Sequence, residues 1–506
     1  MSFALPITPP DRARGWAAGA PSRGGGPELP VFYPATGAQV SVMVEDDADA
    51  VSAAVAAARR AFDKGSWPGL PLPARVEALT ACARVIETHA DELARLECLN
   101  TGLLLRELRD RHMARAAYNF RFFAEVISQA SGKLYDQTPG YVTTVSRVPV
   151  GVAALIAPWN APVALATMKI AAALAFGNTA VLKPSEQTPL ALARLVELLQ
   201  AELPEGVLNL VNGRGAITGS ALVAHPDVDL VSFTGGTETG RTVMSEAGRN
   251  LVPCTLELGG KSANIVFASA DPDRALDGAL LGIFSNNGQQ CLAGSRILVE
   301  RSIFDTFLDQ FIARAARLRV GDPTLADTEL GPLASAGHRD RVMSFVDIAR
   351  ADGGRLLTGG ARRDDLGAGY FVAPTAVAVP NNSARVAQEE IFGPFATFLP
   401  FDTAPEAAAM ANDTAFGLVS YVWSDHLPTV MEMTQGLRSG VVWVNTPMMR
   451  ELRAPFGGFK SSGVGREGGA ACQAFYTEER TVSIPITPPP LRKLGADAEN
   501  PDHQGG

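Results

Sequence analysis

VGVAALIAPWN, residues 150–160, is an unbroken apolar run that ends in a proline, a tryptophan and an asparagine. A run without polar alternation fits a strand buried on both faces, and the carboxyl end of such a strand is where open α/β sheets bind ligands. Three similar runs follow: TAVLKP at 179–184, VLNLVNG at 207–213 and DLVSFTGG at 229–236. Stretches with helical spacing at 161–176, 188–202, 216–225 and 237–248 alternate with them. This alternation predicts βαβ units and a parallel sheet. A second series opens at ANIVFA, 263–268, continues through 273–286 and 296–320, and closes at GVVWVN, 440–445, so a second α/β domain is expected.

Upstream, residues 46–62 and 73–130 are rich in Ala, Leu, Arg and Glu with apolar spacing near 3.6, which predicts a helical layer. YVTTVSRV at 141–148 and FYTEERTVSI at 475–484 alternate like exposed strands and are expected to pair away from both cores, as an oligomer contact. Residues 1–30 and 487–506 carry Pro, Gly and Ala without a period and read as weakly ordered arms.

With 506 residues, 46% hydrophobic, the chain exceeds the roughly 250–300 residues at which single cores stop growing. A net charge of −9 leaves no basic surface for a phosphate backbone, so small molecules are the expected partners and nucleic acid is not. No window approaches the roughly 20 apolar residues of a membrane span, and MSFALPITPP lacks the form of a signal peptide, so no membrane partner and a cytoplasmic location are expected. Cys82, Cys98, Cys254, Cys291 and Cys472 are scattered and odd in number, which fits neither a disulfide framework nor a metal site.

Among these cysteines, Cys291 stands in SNNGQQCLAGSR, a small, polar, turn-like context that gives a thiol access and favours its thiolate. By itself a lone cysteine is more often a small core hydrophobe. Glu257, in TLELGGKS, falls at a strand's carboxyl end, where partial burial raises a carboxyl pKa toward that of a general base; a solvated strand end is the plain alternative. Asn160 follows its strand with an amide that can donate to an oxyanion or simply cap the next helix. In KPSEQTP, 183–189, Lys183 and Glu186 meet at a strand-to-helix turn, where a carboxylate accepts from ribose hydroxyls and repels a 2′-phosphate, which favours NAD over NADP. FTGGTETG, 233–240, places Gly235 and Gly236 before a helix suited to a pyrophosphate, and EEIFGPF, 389–395, offers Glu390 and Phe392 to a ribose and a nicotinamide.

Taken in this order, APWN, KPSEQTP, FTGGTETG, ELGGKS, GQQCLAGSR, EEIFGP and PFGGFKSSGVGREGG resemble the aldehyde dehydrogenase superfamily from about residue 31 to about 484. The resemblance implies an α/β fold with a Rossmann-type NAD-binding domain at 31–128 and 149–258 and an α/β catalytic domain at 259–445. It further implies a β oligomerisation arm at 129–148 and 475–486, a return segment at 446–474 along the substrate tunnel, and a homodimer or homotetramer. It makes Cys291 the nucleophile, Glu257 the base, Asn160 the oxyanion donor, and Lys169 with Glu467 a proton-relay pair. Ile156, Ala157, Pro158, Trp159, Lys183, Ser185, Glu186, Gly215, Gly219, Phe233, Gly235, Gly236, Glu390 and Phe392 become the NAD contacts. The position of Gly236 is often serine in the family, which removes a hydroxyl but keeps the backbone donor.

In MMRELRAPFGG, 448–458, Arg450 and Arg453 precede Phe456 at what the resemblance makes the mouth of the aldehyde tunnel. Guanidinium groups suit a carboxylate, although Glu451 is an obvious surface partner. With RFFAEV, RVGDPT and FYTE, the segment is similar to the branch that oxidises semialdehydes of aromatic ring cleavage, so an acidic semialdehyde is the expected substrate. A general or betaine-type aldehyde dehydrogenase and a non-catalytic structural relative are the alternatives. A coenzyme A acylating relative fits less well, because Glu257 as a base serves hydrolysis.

Overall fold

Val152–Ile156 and Thr179–Lys183 are buried along their whole length, as their unbroken apolar runs require, and they pair in parallel at the centre of the first domain. The computed structural model describes residues 3–492 together with 494 and 495. The parallel core of this sheet runs in the order Cys254–Glu257, Leu230–Thr234, Val152–Ile156, Thr179–Lys183, Leu208–Leu210. The chain therefore builds outward from Val152–Ile156 to one side and then returns to the other. Between Val152–Ile156 and Leu230–Thr234 lies the reversal in strand order, and the crevice beyond their carboxyl ends is bounded by residues 157–160 and 235–236.

Both edges of this sheet are covered by pieces that periodicity does not reveal. Gly463–Val464 pairs antiparallel with Cys254–Glu257, and Trp16–Ala17 pairs antiparallel with Leu208–Leu210, with Ala20–Pro21 outside it. Residues 3–30, expected as part of a weakly ordered arm, thus contribute paired strands. Arg12–Ala13 and Glu28–Tyr33 also flank Ala38–Val44, and the Phe3 ring lies 5.5 Å from that of Phe371. Two-residue strands with proline and glycine cover an open row of N–H and C=O groups without needing an apolar period. By the same pairing the return segment contributes to the first sheet.

The second domain holds a seven-stranded sheet in the order Arg355–Thr358, Thr375–Ala378, Phe395–Phe401, Arg296–Glu300, Ala263–Val266, Val419–Trp423, Val441–Val444. Only Arg355–Thr358 is antiparallel to its neighbour. Helices Ala48–Asp63, Leu72–Thr88, Ala90–Thr101 and Ala114–Ser128 form the expected layer and pack their apolar faces into the first domain.

Away from both cores, Thr477–Pro485 pairs antiparallel with Tyr141–Pro149 along its whole length, and Lys133–Tyr135 pairs on the other side. Phe475 and Tyr476, expected to begin that strand, instead end the helix Gly469–Tyr476. Leu134, Ile484 and Ile486 remain exposed on this arm. Of the expected C-terminal tail, residues 493 and 496–506 lie outside the described residues. Among the described residues no helix is long and apolar enough to cross a membrane, and no side-chain cluster suits a metal ion.

Candidate active site

A cavity of about 630 Å³ opens at the switch point and reaches from Trp159 and Asn160 past Gly235 and Gly236 to Glu257, Cys291, Glu390 and Phe392. Residues from both domains therefore meet around one space.

Cys291 follows the helix Pro272–Phe284 through a turn in which Asn286, Asn287 and Gly288 are all left-handed, with φ of 55°, 56° and 71°. Two non-glycine residues in that region store strain, and the surrounding hydrogen bonds hold them there. Asn287 donates to the carbonyls of Gly102 (3.1 Å) and Pro332 (3.0 Å) and accepts from Gly331 N (2.8 Å). Asn286 donates to the carbonyls of Asn160 (2.9 Å) and Gln289 (3.0 Å).

Asn160 itself donates to the Gln289 carbonyl at 2.9 Å. It does not cap the helix Pro162–Ala175; that role falls to the buried Glu97, whose carboxylate accepts from Val163 N at 3.1 Å. An amide has two N–H donors, so one bond to Gln289 leaves a second for the cavity.

Glu257 ends its strand buried, and neither carboxyl oxygen has a hydrogen-bond partner. Loss of water, followed by the nearby Glu467 charge, raises its pKa well above the usual carboxylate range, while Lys169, Arg450 and Arg466 oppose the rise. The glycines around it make room. A methyl on Gly260 would come within 2.5 Å of the Cys291 carbonyl oxygen, one on Gly457 within 2.7 Å of Glu257 Oε1, and one on Gly259 would overlap the Glu390 carboxyl. Lys169, buried, bonds Glu467 Oε1 at 2.8 Å and Ser232 Oγ at 2.9 Å, so the expected pair is joined directly.

The Cys291 thiol departs from expectation. Its polar segment suggested a thiolate, yet burial, then the carboxyls of Glu390 and Glu257, push it up to about 12, against weaker help from the N–H groups of Cys291 and Leu292. In the free chain at pH 7 this is a protonated thiol beside two carboxyls whose pKa values are raised.

On the other side of the cavity, Phe392 adopts φ of 64°, and the Nε2–H of His338 donates to its carbonyl at 2.7 Å. Burial lowers His338 to about 4, so the ring is neutral at pH 7. The Trp159 ring stands edge-on to both, at 5.2 Å from Phe392 and 5.1 Å from His338. Glu390 accepts from Gly260 N at 2.8 Å, burial raises it to about 7, and Arg341 donates to its carbonyl at 2.8 Å.

Farther along the crevice, buried Lys183 bonds Glu186 at 3.3 Å beside Ser185, and Phe233 and Ile156 end adjacent strands. Gly215 and Gly236 face open space, Gly219 is buried where a Cβ would lie 3.9 Å from Lys183 Cε, and no side chain caps the helix Thr237–Arg249. Free N–H groups at an uncapped helix start, a carboxylate at the next strand end and an aromatic wall fit an adenine dinucleotide. His338 and Arg341 escaped the sequence reading because nothing in GHRDR distinguishes them from an ordinary helix start.

The two tunnel arginines separate. Arg453 is exposed and holds Glu451 through two bonds, at 2.9 and 2.8 Å, so the plain surface pair is its structural role. Arg450 is turned inward, 4.1 Å above the Phe456 ring, and burial lowers its pKa. A further arginine joins it: Arg115, on the helix Ala114–Ser128, is lowered to about 10 by burial first and by the Arg450 charge next.

A thiol, a buried carboxyl and an amide at the mouth of a dinucleotide-type crevice define a two-domain α/β enzyme. The model of the aldehyde dehydrogenase family matches residues 22–482, and the chain belongs to that family. It is 45% identical over 442 residues to 5-carboxymethyl-2-hydroxymuconate semialdehyde dehydrogenase of Escherichia coli, covering 86% of this chain and 93% of that protein. To 2-hydroxymuconic semialdehyde dehydrogenase of Pseudomonas sp. strain CF600 it is 39% identical over 462 residues, covering 90% and 95%. The crystal structure of betaine aldehyde dehydrogenase from Staphylococcus aureus in complex with NAD+ superposes with a TM-score of 0.93 at 37% identity, covering 96% of this chain and 97% of that one.

The raised thiol makes a prediction. Only the thiolate alkylates, so in the free chain the rate of Cys291 modification by iodoacetamide should climb about tenfold per pH unit between pH 7 and 10, without levelling off near 8.5 as an ordinary cysteine does. A plateau at or below pH 8.5 would show that the thiol is not raised.

Proposed function

We propose that the chain oxidises an aldehyde bearing a distal carboxylate, an acidic semialdehyde, to the corresponding acid, with NAD as cofactor and a thioester on Cys291. The observation that carries the substrate class is a pair of half-buried guanidiniums: Arg450, 4.1 Å above the Phe456 ring that lines the thiol's cavity, and Arg115, whose pKa the Arg450 charge helps to lower. Arg115, lowered by burial and then by the Arg450 charge, gains from an anion placed beside the two. The same pair disfavours a cationic substrate, and therefore a betaine-type aldehyde.

In this reading the Cys291 thiol gives its proton to water, the resulting thiolate attacks the aldehyde carbon, and the developing oxyanion is held by the free N–H of Asn160 and the backbone N–H of Cys291. NAD, when bound, accepts the hydride. Glu257, once deprotonated, removes a proton from water as that water adds to the thioester, and the Cys291 sulfur leaves as the acid forms. We read Lys169 and Glu467, joined at 2.8 Å and near enough for the Glu467 charge to raise Glu257, as the pair that takes that proton onward. Trp159, Phe392 and Glu390 would hold the nicotinamide half; Lys183 and Glu186 would hold the adenosine ribose.

The retention of thiol, base and amide argues against a non-catalytic relative. We read the exposed arm strand as a self-association surface of a homodimer or homotetramer, and the cytoplasm as the compartment.

Arg450→Ala should raise KM for a carboxylated semialdehyde by about tenfold or more, the scale of a lost charge-assisted bond, and change it little for a neutral aldehyde of similar length. Arg453→Ala should leave both unchanged. Equal losses on both substrates, or none, would favour a general aldehyde dehydrogenase.

Replacing NAD by NADP should lower kcat/KM, because the Glu186 carboxylate would face the 2′-phosphate. Equal or better use of NADP would refute the role given to Glu186.

A further inference from the structure

Behind the catalytic loop lies a second cavity, of about 510 Å³, that shares no lining residue with the first. Its size falls within the roughly 300–1,000 Å³ of small-molecule sites. Leu103, Leu104, Leu280, Leu281, Phe284 and Leu318 give it an apolar lining, and Leu281 is 51% exposed there. Four arginines, Arg106, Arg314, Arg317 and Arg319, stand around it with three acids, Glu107, Asp277 and Glu329.

The acids are already taken. Arg314 bonds Asp277 at 2.8 Å, Arg319 lies 3.3 Å from Glu329, and Glu107 is held by Arg111 at 2.8 Å. Arg106 and Arg317 have no carboxylate partner among the described residues. Arg106 Nη1 donates to the Ala326 carbonyl at 2.8 Å and Arg317 Nε to that of Ala313 at 2.9 Å, which leaves each guanidinium with N–H groups to spare. An apolar lining beneath two uncompensated guanidiniums matches a molecule with one anionic end and an apolar body.

The wall of this cavity is the strained turn itself. Asn286 and Asn287 line it, both left-handed, and Asn286 donates at 2.9 Å to the carbonyl of Asn160, which lines the first cavity. One amide side chain therefore links the linings of the two spaces.

We propose that this cavity binds an amphipathic organic anion, an aliphatic or aromatic carboxylate, and that its occupancy acts on the catalytic loop through Asn286. A ligand that prefers one arrangement of a strained segment shifts its population without entering the catalytic cavity. The effect should therefore fall on kcat and leave KM for the aldehyde in place.

Calorimetric titration of octanoate into the full chain tests the site. Binding should persist after Cys291 is carboxamidomethylated, weaken about tenfold or more in the double variant Arg106→Ala/Arg317→Ala, whose side chains are exposed, and be much weaker for octanol. No binding, binding lost on Cys291 modification but kept in the double variant, or equal affinity for octanol would each overturn the site. Turnover of a neutral aldehyde under saturating octanoate tests the coupling: a change in kcat that disappears in the double variant supports it. An unchanged kcat, or purely competitive inhibition, overturns it.

Discussion

The 2.9 Å hydrogen bond from the Asn160 amide to the Gln289 carbonyl ties the carboxyl end of the first parallel sheet to the loop that carries Cys291. Asn286 returns a bond of the same length to the Asn160 carbonyl, so the two domains are clasped in both directions at the reacting centre. Neither partner is free to move alone. The left-handed turn at 286–288, the bonds of Asn287 to residues 102 and 332, and the glycines at 259 and 260 all serve to seat that loop against the sheet. A side chain at Gly260 would push on the Cys291 carbonyl, and the clasp would open.

Around this clasp the charges are kept low. Glu257 is buried without a donor, the thiol is raised, His338 is neutral, and Glu390 is held near neutrality. Burial favours the uncharged form of each. Lys169 and Glu467 form a fixed pair whose opposite charges compensate each other.

Long features were legible in the sequence and short or tertiary ones were not. Buried strands such as Val152–Ile156 announced themselves, because burial on both faces forces an unbroken apolar run. Trp16–Ala17 and Gly463–Val464 are too short for any period, and only pairing defines them. Thiol, base and amide could be named one by one from local context, but each also had an ordinary structural reading until family resemblance joined them. For Asn160 that reading fails because Glu97, distant in sequence, supplies the helix cap. Arg450 and Arg453 are indistinguishable in sequence; which one turns inward depends on the path of the return segment. Arg115 left a trace, since it lies four residues before the buried Asn119 and bonds its side chain at 2.8 Å, a polar pair on a helix face that otherwise buries alanine and phenylalanine.

The most direct measurement of the central claim is mass spectrometry of the Glu257→Gln variant, quenched in acid within the first turnovers on an acidic semialdehyde with NAD. The account predicts one equivalent of NADH released per site, followed by slow turnover, with Cys291 carrying the mass of the acyl group. Undiminished steady turnover with unmodified Cys291 would contradict it, since neither the thioester nor the role of Glu257 in its hydrolysis could then stand.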